Sequence, residues 1–274
     1  MKVAFATDPG SVQKQNEDAV AATAQIVAVV DGVTAPSGLD TGCIHGTPWY
    51  ASNLASRVVS VVTQRPDIPL RVALAQAISE VAAIHEDTCN LSSDGTPSGT
   101  VAVLRQTARS LDYLVLSDAS VLIDTVSGVI AVADKRVEEV VSDLADATKS
   151  APVGTAERKA RLDELVIQQR KLRNVNGGYW LAGTVPEAAE HALTGCVPLA
   201  EVRRAAAMTD GASSLVDLYE QLAWDQAPRE LAESGPSGWI DRVRRTEASD
   251  PQATRWPRYK QGDDATVAYA DLTT

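Results

Sequence analysis

Short apolar runs that end on an acid recur along this chain. Residues 26–30 (Ile-Val-Ala-Val-Val) run straight into Asp31-Gly32. A run of that length, rich in β-branched side chains and bounded by turn residues, predicts a buried strand. Residues 3–7 and 19–23 predict two more, the second forming a hairpin with 26–30 across Ala24-Gln25. Four closely spaced runs, 100–105, 111–116, 120–125 and 129–133, read as an antiparallel meander. Residues 197–199, 202–208 and 265–272 complete the strands. Between them lie segments of helical period. Residues 48–64 carry Leu54, Val58, Val61 and Val62 on one face, with Thr47 as N-cap and Pro48 in the first turn. Residues 70–89 continue a similar face through Ile78, Val81 and His85. Helices are also expected over 135–149, 155–172, 211–222 and 229–246. Strands in two batches, with helices grouped between and after them, predict an α+β fold with antiparallel sheets rather than an alternating parallel one.

Composition narrows the function. The 274 residues carry a formal net charge of -11. An acidic chain repels nucleic acid and anionic membrane and suits cations or basic partners. Cys43, Cys89 and Cys196 are far apart, with no CxxC pair, which suits free thiols in a reducing compartment. No apolar run approaches the roughly 20 residues that span a bilayer, and the start has no signal-like apolar segment. A cytoplasmic protein is expected.

The chemistry lies in the acids at strand ends. They stand in Val30-Asp31-Gly32, Leu116-Ser117-Asp118-Ala119 and Met208-Thr209-Asp210-Gly211, and in reverse in Asp263-Asp264-Ala265. Glu17-Asp18 precedes the second strand. One Asp-Gly is ordinary turn chemistry. Five such places suggest a site for hard divalent cations, which take oxygen ligands from a few carboxylates plus water.

In order, Asn16-Glu17-Asp18, Val30-Asp31-Gly32, Ser98-Gly99-Thr100, Leu116-Ser117-Asp118, Thr209-Asp210-Gly211 and Asp263-Asp264-Ala265-Thr266 resemble the metal-dependent type 2C serine/threonine protein phosphatases over nearly the whole chain. The resemblance implies one domain over 1–274, with two packed antiparallel sheets in a four-layer αββα sandwich. It implies two manganese or magnesium ions, and hydrolysis of phosphoserine or phosphothreonine by direct attack of metal-activated water. By position, Asp31 would bridge both ions and the Gly32 carbonyl would join one shell. Asp210 and Asp263 would hold the other ion. Asp118 would serve a weaker third ion. Glu17 and Asp18 would support metal-bound water, and Asp264, where the family has asparagine, would add charge.

Three features depart from that pattern. Gln13, beside Lys14, stands where the family has its phosphate-gripping arginine. Val33-Thr34-Ala35-Pro36 replaces further glycines, and Ser117-Asp118-Ala119 replaces Gly-Asp-Ser. Arg255, Arg258 and Lys260 lie just before Asp263, so Arg255 is expected to grip phosphate instead, with Lys14 a second candidate. His45 is the candidate proton donor to the leaving alcohol. Cys43-x-His45 is not expected to bind zinc, because no second ligand pair is visible, and His85 and His191 read as structural. Residues 150–178 fall where the family has a variable flap, whose charged helix could recognise substrate. A phosphorylated metabolite as substrate, or a pseudophosphatase that binds a partner, are the alternatives.

Overall fold

The computed structural model describes residues 1–33, 40–151 and 155–273. The first strands are β1 (Lys2–Asp8), β2 (Ala19–Ala22) and β3 (Ile26–Gly32), followed by helices α1 (Thr47–Gln64) and α2 (Leu70–Ala83). Next come β4 (Gly99–Gln106), β5 (Ser110–Leu116), β6 (Ser120–Thr125) and β7 (Gly128–Ala133). Three helices follow, α3 (Arg136–Val140), α4 (Ser142–Ser150) and α5 (Ala156–Leu172). The chain closes with β8 (Leu193–Pro198), β9 (Val202–Met208), α6 (Asp210–Asp217), α7 (Ala227–Ser249) and β10 (Ala265–Asp271).

The strands form two five-stranded antiparallel sheets, ordered β1-β10-β9-β6-β7 and β2-β3-β4-β5-β8. Each sheet is buried on both faces, which is why its central strands read as unbroken apolar runs rather than as an alternation. In β3, Val27 and Val29 face the other sheet, meeting a core that includes Ala205, Ala207 and Ala268. Ile26, Ala28 and Val30 face the opposite way, onto Leu54 and Val58 of α1 and Leu74 and Ile78 of α2. The other sheet does the same with Leu122, Met208 and Val267 against Leu215 of α6 and Trp239 of α7. The buried Trp239 indole donates to the Ala212 carbonyl at 2.9 Å, so its one polar atom is satisfied. The layers are therefore helix, sheet, sheet, helix, the α+β architecture expected.

Element ends differ from the sequence pattern in places. The helix expected over 70–89 stops at Ala83; three-residue turns then take over, with His85 N–H on the Ala82 carbonyl and Thr88 N–H on that of His85. The helix expected over 135–149 is two pieces, α3 and α4. α7 breaks at Gly235, whose φ of 69° precedes Pro236. α5 lies on the surface, with Leu165 buried and Arg158 anchoring it to the Lys149, Ala151 and Arg258 carbonyls. Among the described residues, no helix is long and apolar enough to cross a membrane.

Candidate active site

Strand ends from both sheets bring acids to one end of the sandwich. β3 reaches Asp31, paired in register with Thr100 of β4. β5 crosses to β6, and so from one sheet to the other, through Ser117-Asp118-Ala119. Ser117 has φ 64°, a left-handed backbone that costs a non-glycine residue about 1–3 kcal/mol and here forms the crossing that carries Asp118. β9 ends just before Asp210, the first residue of α6, and Asp263 leads into β10. Asp18 precedes β2 and is 8% exposed.

These carboxylates act on one another. Burial pushes Asp31 well above the usual range, and Asp210, Asp18, Asp118 and Asp263 add to the push. Burial raises Asp18 to about 8 against hydrogen bonds from Thr266 and Thr209. It raises Asp118 to about 8, with Asp210 adding, and Asp263 to about 6, with Asp210 adding and Lys260 opposing. Asp18 Oδ1, Asp118 Oδ1 and Ser117 Oγ are buried with no hydrogen-bond partner among the described residues. Such orphaned oxygens cost about 1–3 kcal/mol each. Like charges held together around unsatisfied oxygens fit a hard divalent cation, which relieves the repulsion and takes oxygen ligands.

Close backbone packing sets the geometry. A Cβ on Gly32 would lie 2.4 Å from Thr47 Cγ2 and 2.6 Å from the Glu17 carbonyl oxygen, so only glycine fits. The Gly32 N–H donates to that carbonyl at 3.1 Å and ties Asp31 to the Glu17-Asp18 segment. Thr209 Oγ1 donates to Asp18 Oδ2 at 2.8 Å, joining one sheet to the other.

Asp264 has a structural task that explains its departure from asparagine. Its Oδ1 accepts from Gly10 N–H at 2.8 Å and its Oδ2 from Glu17 N–H at 2.7 Å. The two donors meet different oxygens, and an asparagine would turn its NH2 donor toward one of them. Asp264→Asn is therefore expected to destabilise the protein by about 1–3 kcal/mol, read as a lower denaturant midpoint at constant m-value. Unchanged stability would show that the two N–H groups have other partners.

The basic loop before Asp263 reaches the acids through Lys260, not Arg255. Lys260 Nζ lies 2.7 Å from Asp263 Oδ1. Partial burial works against its charge, but Asp263, Asp31 and Asp210 outweigh it and hold the ammonium above the usual lysine range. The Arg255 guanidinium instead lies 4.2 Å over the Trp256 ring and lines a cavity with Arg242, Arg245 and Ser249 of α7. The cause is Asp250, whose carboxylate accepts the N–H groups of Thr254, Arg255 and Trp256 and winds the loop around itself. Arg258 is buried against the same Asp250 at 3.1 Å. Lys14 is exposed. His45, expected as a proton donor, stands instead among Cys43, His85 and Cys89 and stacks on Trp49. His191 stacks on Trp180. Thr34, Ala35 and Pro36 lie outside the described residues.

Two groups near the acids carry no signal in the strand-end pattern. Glu247 of α7, 7% exposed, accepts from the Asp263 N–H and is paired with Arg244 at 2.7 Å; the spacing of three on one helix face is its only mark. At the end of α5, Arg170 and Arg173 stand close enough that burial and then the Arg173 charge pull Arg170 below its usual value. Burial lifts the Tyr179 phenol, the Arg173 guanidinium bonded to it pulls it back, and Asp118 adds to the lift. The end of α5 thus sets the Arg173 guanidinium against a phenol that feels the Asp118 charge, and Arg173 Nε is buried with no hydrogen-bond partner among the described residues.

No family model matches the chain, and no curated protein matches its sequence. Solved structures do match. A bacterial serine phosphatase superposes with a TM-score of 0.61 at 12% identity, covering 99% of this chain and 98% of its own. The Staphylococcus aureus serine/threonine phosphatase Stp1 gives 0.59 at 12%, covering 98% and 94%. The catalytic domain of the serine/threonine phosphatase PstP, in complex with two manganese ions, gives 0.55 at 16%, covering 98% and 97%. The chain has the fold of the type 2C serine/threonine phosphatases.

Proposed function

We propose that this protein is a divalent-cation-dependent phosphoric monoester hydrolase acting on phosphoserine and phosphothreonine of proteins. The observation that carries the reading is the set of mutually repelling carboxylates, drawn from both sheets around orphaned oxygens. Asp31 with the Gly32 carbonyl, Asp210 and Asp263 would hold two cations, and Asp118 a weaker third. Bound there, manganese or magnesium supplies a nucleophilic water at neutral pH and a counter-charge for phosphoryl oxygens. The chain's own residues do the rest. Asp264 and Glu247 fix the backbones of Glu17 and Asp263, so the acids keep their spacing. Lys260 offsets part of the negative charge. Arg173, bonded to a Tyr179 phenol that feels the Asp118 charge, would take the task of the missing arginine, since a planar guanidinium can grip a phosphate bidentately.

The test is hydrolysis of an aryl phosphate and of phosphopeptides with manganese, with chelator, and after Asp210→Asn. Turnover that requires both the cation and Asp210 supports the reading; turnover indifferent to either overturns it. Hydrolysis of small phosphorylated metabolites with none of phosphopeptides would overturn the protein-substrate part. Arg173→Ala is expected to raise KM for phosphopeptide by about 10–100-fold. An unchanged KM would remove Arg173 from the substrate site.

A further inference from the structure

We propose that Cys43, His45, His85 and Cys89 bind one zinc ion that staples the loop after β3 to the turn after α2. Among the described residues this is the one group of three or more histidine, cysteine, aspartate or glutamate side chains placed to share a metal ion, its donor atoms all within 4.8 Å of one another. Cys43 Sγ is 3.7 Å from His45 Nδ1, 3.6 Å from His85 Nδ1 and 3.3 Å from Cys89 Sγ, which is in turn 3.4 Å from His45 Nδ1. A tetrahedral zinc ion, with Zn–S about 2.3 Å and Zn–N about 2.0–2.1 Å, spaces its donors roughly 3.3–3.8 Å apart. Four of the six donor pairs stand near that spacing, and all six lie within 4.8 Å.

The donor chemistry agrees. Two thiolates and two imidazoles form a soft, four-ligand set that favours zinc over manganese or magnesium, and two thiolates balance the charge of a divalent ion. The second pair, His85 and Cys89, lies 40 residues or more beyond Cys43-x-His45, and the unwinding of α2 after Ala83 is what turns His85 inward. His85 is 2% exposed and turns its Nδ1 to the Cys43 sulfur, so the ring is held in the core facing the group. Backbone N–H groups of His45 and Gly46 bond to the Cys43 sulfur, and that of Ile44 bonds to the Cys89 sulfur. Trp49 covers the group, stacked on His45 at 4.2 Å and tilted against His85 at 5.1 Å.

With four protein ligands the site is closed, so the ion's task is structural. It reinforces a join already begun by Asn90 N–H on the Gly42 carbonyl at 2.7 Å. Thr47, two residues past His45, packs against Gly32. The zinc therefore braces the segment that presses on the Gly32 side of the carboxylates, a task independent of whether those carboxylates run a phosphatase.

The experiment uses the full chain carrying Asp210→Asn, so that metal held by the acids is weakened and the two sites are read apart. One zinc per chain is expected to survive desalting. Cobalt in its place should give tetrahedral d–d bands and a thiolate-to-cobalt charge-transfer band, both lost with Cys89→Ser. Thiol labelling of the wild-type chain covers the case in which Cys89→Ser fails to fold. Exposed Cys196 should react at once, and Cys43 and Cys89 only after chelation. Equal labelling of all three thiols in zinc-loaded protein, a Cys43–Cys89 disulfide in freshly prepared protein, or a cobalt spectrum without the thiolate band would each overturn the proposal.

Discussion

Asp31→Asn should abolish cation-dependent turnover and at the same time raise the thermal midpoint of the cation-free protein. Asp31 sits where four other carboxylates converge, and burial with their repulsion makes its charge costly. A neutral amide carries neither that charge nor the proton the folded chain must otherwise hold on Asp31, so folding is no longer penalised there. A relief of about 1 kcal/mol would raise the midpoint by about 2–4 °C in a chain of this size. The same change removes the ligand proposed to be shared, and a loss of about 10³-fold or more in kcat/KM is expected. Manganese, which should stabilise the wild-type protein, should barely move the variant. A lowered midpoint without cation would show that the Asp31 charge is compensated in the fold, and retained turnover would remove Asp31 from the catalytic machinery.

The second large effect is on pH. Asp18 and Asp118 are raised from 3.8 to about 8 and Asp263 to about 6. Between pH about 4 and 8 the folded, cation-free protein therefore holds protons that the unfolded chain has already released. The stabilisation from these groups is fully present below their unfolded values and is lost as pH rises through the folded ones. Cations need the carboxylates unprotonated, so their apparent affinity should climb across the same window by about tenfold per pH unit for each proton displaced. The manganese-induced shift in thermal midpoint, followed by calorimetry from pH 5 to pH 8, should grow steadily. A shift independent of pH would mean that the acids are ionised before the cation arrives.

Much of this was legible in the residues. Ile26 to Val30 reads as a strand because both of its faces are buried, and an acid directly after such a run must leave the core where the sheet ends. Asp31 is marked in that way, Asp118 and Asp210 follow their runs one residue later, and Asp263 stands just ahead of its strand. The cations around them are not, because local hydrogen bonding decides where they point. Asp250 gathers three backbone N–H groups and takes Arg255 with them to the α7 side, while Lys260, five residues on, reaches the acids. The Cys and His group was half visible as Cys43-x-His45. Its other half needed the α1–α2 packing and the early end of α2, and neither follows from helical periodicity, which carries His85 on as one more core residue. Arg173 depends on where the flap lands, and the low apolar content of α5 does not say which neighbour it will find.

The bond from Thr209 to Asp18 has a further consequence. It is made between residues 191 positions apart, one beside each sheet. Neither sheet alone holds the full set of acids, and Asp118 stands on the strand crossing between them. A chain in which only one sheet has formed, during synthesis or after partial unfolding, therefore lacks the geometry to capture cations. The proposed cation site is therefore complete only once both layers have docked in register.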